Sequence, residues 1–252
     1  AGALAIGRAA GIENILTFDM GGTSTDVSVC VDAESVVARE TIVGEFPIRA
    51  ASVDVRSIGA GGGSIAYVPS TVRSLRVGPE SAGADPGPAC YGNGGICPTV
   101  TDANLLLGRL PGHLLSGELP LDKVLAEKAF QVIADELGMD IFSIAQGVID
   151  IADESMAAAL RVMSVERGLD PRQFALVAFG GAGPLHANAL AALLGCYPIV
   201  IPSSPGVLSA YGFQTVGHRS TFTRTLILPL ADKSLPMIRS VFADLAERAR
   251  AW

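Results

Sequence analysis

The chain has 252 residues, a net charge of −7, 49% hydrophobic residues and only 17% charged ones. That is enough for one large or two modest globular domains whose core needs no disulfide or metal staple. The acidic balance argues against a nucleic-acid binder, which carries a basic footprint, and no run reaches the roughly 18 consecutive apolar residues of a membrane span.

The opening residues up to Ala10 suit a short helix closed by Gly11. Residues 14–20 read as a strand, followed by Gly21-Gly22-Thr23-Ser24. Beyond that turn Val27, Val29 and Val31 alternate with Asp26, Ser28 and Cys30, the period of two that marks a second strand. A third strand is expected over 36–43. From 44 to about 139 the pattern loosens. Short strands are expected near 53–58 and 73–77, and helices over 102–107 and 122–137. Between them, residues 78–100 are rich in Gly, Pro, Ala and Ser, and loops of that length usually mark function or disorder. The longest helix is predicted from about 142 to 167, with Ile144, Val148, Ile151, Met156, Leu160 and Met163 at roughly helical spacing and Gly168 as its stop. A strand over 174–179 then leads through Gly180-Gly181-Ala182-Gly183-Pro184 into a helix over 185–194 and a strand over 199–201. A strand near 221–228 and a helix from 235 onward complete the chain. The order β-β-β, interruption, α-β-α-β predicts an α/β fold, a mixed sheet flanked by helices.

The segment from Phe18 to Ser28 carries the strongest chemical signal. A triphosphate needs backbone N–H groups close to its oxygens, and glycines permit that approach. Gly21 and Gly22 supply it, while Thr23, Ser24 and Thr25 add hydroxyl donors. Asp19, ending the incoming strand, suits Mg²⁺, which takes a few carboxylates and keeps its waters. In a Walker A loop or a dinucleotide fingerprint the glycines run into a helix; here they run into a strand, so phosphates would sit on a hairpin corner. The competing reading is an ordinary tight hairpin.

This segment resembles the second phosphate motif of actin-like ATPases, and its wording, DMGGTSTDVSV, is similar to the hydantoinase A/5-oxoprolinase family within that superfamily. The resemblance implies phosphate contact by Gly21, Gly22, Thr23 and Ser24, Mg²⁺ held by Asp19 through water, and Asp26 positioning the loop or the metal's waters. It further implies a ribonuclease H-like sheet with an inserted loop-rich subdomain. Residues 1–43 and 140–230 would form the nucleotide-binding core, 44–139 the insertion and 231–252 the start of a helical segment. The run from Val177 to Ala187, FGGAGPLHA at its centre, resembles the adenosine motif of the same group and carries adenosine contact to Gly180, Gly181 and Gly183. A plain strand-to-helix turn is the alternative there. Residues 57–64, 77–92 and 98–104 also resemble the family, with small departures such as Asn93 and Ile96.

Cys90, Asp102 and His186 are ligand-capable and lie in or beside the glycine-rich loops, so one reading gathers them around a second divalent ion such as Zn²⁺. The plainer reading, which residue types favour, is a buried thiol, a capping aspartate and a packed histidine. His113 and His218 have no visible partners. Asp153 and Glu154 are expected on the solvated face of the long helix, with a place lining the nucleotide cleft as the alternative. The four cysteines form no CxxC pair, as in reduced cytoplasmic proteins, and no signal peptide opens the chain.

The resemblance implies an ATP-dependent cyclic-amide hydrolase, or a subunit of one, that phosphorylates the amide oxygen of a hydantoin or 5-oxoproline-type lactam. The residue that activates water is not read from the sequence. An ATP-using acetone or acetophenone carboxylase subunit is the runner-up. A non-catalytic actin-like nucleotide-binding module is the alternative from another class, and an NAD-dependent enzyme is disfavoured by the missing fingerprint. The family's earlier phosphate motif is absent, so the chain is expected to be part of a longer protein. The N-terminal half of the ATPase, and a hydantoinase B-type subunit or domain, would be its partners. This piece alone is expected to bind ATP weakly and turn nothing over.

Overall fold

In the computed structural model, which describes residues 1–38, 40–43, 45–49, 51–217 and 220–252, the chain opens with helix α1 (Gly2–Ala9). Strand β1 (Ile15–Met20) follows and is buried throughout except at Asp19, which is only partly covered. It pairs antiparallel with β2 (Thr25–Val31), Ile15 opposite Cys30 and Met20 opposite Thr25. Asp32 and Ala33 turn the chain through positive φ, and β3 (Glu34–Ser35) pairs with the end of β2. The other half of that edge is taken by β4 (Val55–Ile58), antiparallel to residues 25–28. A separate hairpin of β5 (Ser64–Tyr67) and β6 (Arg76–Ser81) follows.

Helix α2 (Val100–Leu106) starts at a capping box in which Thr99 and Asp102 satisfy each other's backbone. Asp122 caps α3 (Lys123–Leu137) and Asp140 caps α4 (Ile141–Met163), each accepting from two first-turn amides. Such caps contribute about 1 kcal/mol each. Strand β7 (Ala175–Phe179), fully buried, then runs parallel to β1, and after α5 (Gly183–Leu194) strand β8 (Ile199–Val200) runs parallel to β7. Helix α6 (Leu208–Thr215) closes the first of two units, Ala1–Thr215.

The main sheet therefore runs β8-β7-β1-β2-β3, with β4 also on β2. An antiparallel meander flanked, on the side of its first strand, by two parallel strands is the order expected of half an actin-like ATPase. On one face α4 buries Ile144, Val148, Ile149, Ala152, Met156 and Leu160 in one cluster with Leu16, Phe18, Val27 and Leu176 of the sheet. On the other face Ala3 and Leu208 meet Ile15, Val177 and Phe179. The second unit, Val216–Trp252, holds α7 (Leu235–Ala251), where Arg224 pairs with Asp244 and Arg248 lies 5.7 Å from the centre of the Phe222 ring.

Two expected strands differ. In place of a third strand over 36–43, only β3 joins the sheet; residues 37–38 and 41–43 pair instead with 52–53 and 46–48 in small ladders. The edge of β2 has two short occupants, β3 and β4, rather than one long one. Residues 221–228 form no strand among the described residues. No described helix is long and apolar enough to cross a membrane.

Candidate functional site

The parallel register puts Asp19 beside Phe179, so β1 and β7 deliver their glycine corners side by side. In the first corner the Gly21 amide donates to the Ser24 carbonyl at 3.0 Å, and Gly22, Thr23 and Ser24 are exposed. In the second, Gly180 takes φ +82°, and a Cβ there would stand 2.5 Å from Asp19 Oδ1 and 2.7 Å from the Met20 carbonyl carbon. The Ala182 amide donates to the Met20 carbonyl at 2.9 Å, and a Cβ on Gly183 would lie 3.5 Å from the Phe18 oxygen. The absence of a side chain at 180 thus lets one corner close on the other, whereas a Cβ at 183 would make only ordinary contact. Gly22 and Gly181 differ: nothing lies within 4 Å of a Cβ at either, so both border open space.

A third glycine segment forms the floor. The Gly62 amide donates to Gly21 O at 3.0 Å and the Gly63 amide to Gly22 O at 2.6 Å. A Cβ on Gly61 would stand 2.6 Å from the Thr23 carbonyl carbon. Thr101, in the first turn of α2, holds this floor by donating its amide (2.7 Å) and its hydroxyl (2.8 Å) to Gly62 O. In the sequence this segment shares the family resemblance but carries no signal of its own for a role.

Thr25 needs a correction. It is fully buried, and its hydroxyl donates to Ala60 O at 2.6 Å, with Met156 Sδ 3.5 Å away. It fastens β2 to the floor segment instead of offering a donor to a phosphate. Strand alternation places it inward with Val27 and Val29.

Asp19 and Asp26 are cross-strand partners. Asp26 accepts from the Ser57 hydroxyl and Asp19 from the Ser209 hydroxyl, the latter at 2.7 Å. Burial pushes the Asp19 carboxyl above its usual range and the charge of Asp26 adds to this, while the Ser209 hydrogen bond acts against both. Two opposed carboxylates beside open space are a hard-oxygen donor set that suits Mg²⁺, which takes one or two carboxylates and completes its shell with water and phosphate. Neither Ser57 nor Ser209 carried a sequence signal as a carboxylate partner, because each arrives from a remote segment.

The structure does not gather Cys90, Asp102 and His186 around an ion. Both Asp102 oxygens are engaged: one accepts the Cys90 amide (2.8 Å), the other the Thr99 amide (2.9 Å), the Thr99 hydroxyl (2.7 Å) and the Ala89 amide (3.2 Å). Burial raises the Cys90 thiol, and Asp102 adds to that, so the neutral thiol is favoured over a metal-binding thiolate. His186, fully buried, points its Nδ1 at Asp153 Oδ1 (2.6 Å) and its Nε2 at the Asn104 amide nitrogen (3.4 Å). Among the described residues no group of three or more His, Cys, Asp or Glu side chains is placed to hold a metal. Asp153 is thereby corrected too: it is buried against His186, while Glu154 stays exposed and pairs with Arg161. His113 is exposed, and His218 lies outside the described residues.

Two glycine corners thus meet at Asp19 over a third glycine segment, and comparison with known proteins decides the family. The hydantoinase/oxoprolinase model matches residues 1–219. The chain belongs to this family. Among hydantoinase/oxoprolinase relatives, it is 39% identical over 249 residues to the caprolactamase subunit alpha of Pseudomonas jessenii, spanning 97% of this chain and 36% of that one. It is 42% identical over 202 residues to the acetophenone carboxylase gamma subunit of Aromatoleum aromaticum (77% and 27%), and 38% identical over 216 residues to 5-oxoprolinase 1 of Arabidopsis thaliana (79% and 17%). The solved ATP-dependent caprolactamase from Pseudomonas jessenii superposes with a TM-score of 0.82 at 34% identity, covering 99% of this chain and 37% of that one. Nucleotide-free acetone carboxylase gives 0.78 at 31% identity (84% and 30%). The fold is that of these two solved enzymes, and the chain spans less than two fifths of the length of each of these relatives.

Proposed function

We propose that the chain is the nucleotide-binding part of an ATP-dependent cyclic-amide hydrolase. The observation that carries this reading is the meeting of the corners at residues 21–24 and 180–183 across Asp19 and Met20. The amides and hydroxyls of Gly22, Thr23 and Ser24 would face the phosphates, and the open side of Gly181 would take the flat adenosine. Asp19, with Asp26 behind it, would hold Mg²⁺ through water. The bound ion would spread the charge that develops on the transferring phosphoryl group.

The chemistry follows from the inertness of an amide. Its carbonyl carbon is resonance-stabilised and water attacks it slowly. When the amide oxygen attacks the γ-phosphorus, the bond to the bridging oxygen breaks and ADP departs, leaving an O-phosphorylated imidate. Water adds to the activated carbon, and the ring C–N bond opens with a proton passing to nitrogen, which leaves an acyl phosphate. A second water displaces phosphate from that carbon, so phosphate departs with the original amide oxygen and both carboxylate oxygens come from water. For this part of the protein the contribution is positioning and charge neutralisation, and little covalent chemistry is asked of side chains.

Caprolactamase subunit alpha and acetophenone carboxylase gamma subunit are, by their names, subunits of assemblies. By analogy this chain would work with the other half of an actin-like ATPase and a hydantoinase B-type subunit or domain. Four free thiols, three of them buried, accord with a cytoplasmic setting. The carboxylase relatives favour a second reading in which a ketone's enol oxygen takes the phosphoryl group. Incubating the full-length protein with MgATP and ¹⁸O-carbonyl lactams or hydantoins tests the first. Label appearing in inorganic phosphate supports it; carboxylated product from a ketone and bicarbonate, with no amide hydrolysis, replaces it with the second.

A further inference from the structure

We propose that Ser209 is a positioning residue of the nucleotide site, whose hydroxyl fixes the Asp19 carboxylate in the orientation that receives a magnesium–nucleotide complex; this rests on the reading of the site given above.

Asp19 is gripped from two directions. Its Oδ1 stands where a side chain on Gly180 would collide, 2.5 Å from the Cβ position, and its Oδ2 accepts the Ser209 hydroxyl at 2.7 Å. One segment thus bounds each oxygen, and rotation of the carboxylate would forfeit a charge-assisted hydrogen bond. Asp19 ends β1 at the mouth of the site, half-covered and opposed by Asp26, so without such a tether repulsion would turn it outward. From inside the first turn of α6, Ser209 reaches across 190 residues of sequence to β1.

Its helix is built to bring it there. Residues 205–207 form a short turn whose Pro205 carbonyl accepts the Gly180 amide at 3.0 Å, tying the approach to the second glycine corner. Leu208 is buried against Ile15, Val177 and Phe179. Three residues beyond Ser209, Gly212 crosses Gly2 of α1 so closely that a Cβ on Gly212 would lie 2.8 Å from the Gly2 nitrogen. A Cβ on Gly2 would in turn stand 2.6 Å from the Leu208 oxygen. Ser209 is therefore pinned between a buried neighbour and a glycine–glycine crossing, a placement more exacting than an exposed serine would otherwise need.

The hydroxyl keeps its proton throughout, and its effect is transmitted through Asp19 alone. Partners that orient ligating groups typically change metal affinity or activity by about 10- to 100-fold when removed. The test uses the full-length protein as wild type, Ser209→Ala, Ser209→Thr and Gly212→Val. Mn²⁺ binding to the complex with adenylyl imidodiphosphate is followed by electron paramagnetic resonance, and ATP hydrolysis is resolved into kcat and KM. Ser209→Ala is expected to weaken Mn²⁺ about tenfold and to lower kcat comparably, with KM for ATP within about twofold. Ser209→Thr, which keeps the hydroxyl, restores both to within about threefold, and Gly212→Val, which forces α6 off α1, reproduces the alanine defect. If wild type binds Mn²⁺ with nucleotide and Ser209→Ala matches it within twofold, the positioning role is refuted while the nucleotide site stands. If wild type binds neither, the reading of the site fails and this inference falls with it.

Discussion

Asp102→Ala should loosen the floor of the site from a distance. Asp102 is fully buried and accepts the amides of Ala89, Cys90 and Thr99 together with the Thr99 hydroxyl, at 2.7 to 3.2 Å. Truncation leaves three backbone donors in a buried setting with no acceptor, at about 1–3 kcal/mol each. Taking the middle of that range and allowing water to recover part of it gives a loss of about 4 kcal/mol, large against a typical domain stability of about 5–15 kcal/mol. Asp102→Asn keeps the shape, but its NH₂ faces donors, so roughly half of that loss is expected. Because Thr101 is the next residue and holds Gly62, the opened segment includes the contact to Gly21. Hydrogen exchange by mass spectrometry on peptides covering residues 86–105 reads the local opening directly. A loss of about 4 kcal/mol corresponds to exchange faster by about a thousandfold, with Asp102→Asn intermediate. Exchange within tenfold of wild type in Asp102→Ala would refute the assignment of Asp102 as the acceptor that holds this segment.

Substitutions at the glycine corners should separate steric from ligand effects. Gly22→Ala and Gly181→Ala, where a Cβ meets open space, are expected to leave the melting temperature within about 2 °C while weakening nucleotide binding at least about tenfold by calorimetry. Gly61→Ala, whose Cβ would strike the Thr23 backbone, should lower both. For Asp19, burial, against the Ser209 hydrogen bond and helped by the charge of Asp26, raises the carboxyl above the usual carboxylate range, so the folded state holds that proton more tightly than the unfolded chain. The resulting stabilisation is complete below the unfolded pKa and is lost as pH rises through the folded one, leaving an ionised group that disfavours folding at neutral pH. In chelator and without nucleotide, Asp19→Asn should therefore melt close to wild type near pH 3 and about 1–3 °C above it at pH 7, while losing nucleotide-supported Mn²⁺ binding. Iodoacetamide mapping of the native protein should label the exposed Cys97 and spare Cys30, Cys90 and Cys196, which are buried and whose thiols are raised, Cys196 to about 11. Equal labelling of Cys90 and Cys97 would contradict the burial of the 89–91 turn.

How much of this was legible depended on how local the signal was. The strand β2 and the helix α4 follow from periodicity, β1 and β7 from short apolar runs that end at glycine turns, and the glycine corners from their composition. Thr25 and Asp153 were misread although the pattern held the answer. Thr25 shares a strand face with Val27 and Val29, and Asp153 lies four residues from Ile149 and three from Met156 on a buried helix face. The edge of β2 was not legible, because β3 and β4 reach it from 34 and 55 and their pairing has no local signature. Nor was α6, whose glycine-bearing sequence gains its place from a crossing with α1 over 200 residues earlier. The Thr99–Asp102 capping box could be read as a cap, but its further hold on Ala89 and Cys90 comes only with the fold.

The central claim is that two glycine corners, brought together by parallel β1 and β7, form one nucleotide site. A crystal structure of the full-length protein with Mg²⁺ and adenylyl imidodiphosphate measures this most directly. Phosphate oxygens are expected on the amides of residues 22–24, the ion beside Asp19, and the adenosine against Gly181. Nucleotide bound elsewhere, with the space beside Gly22 and Gly181 filled only by solvent, would contradict it.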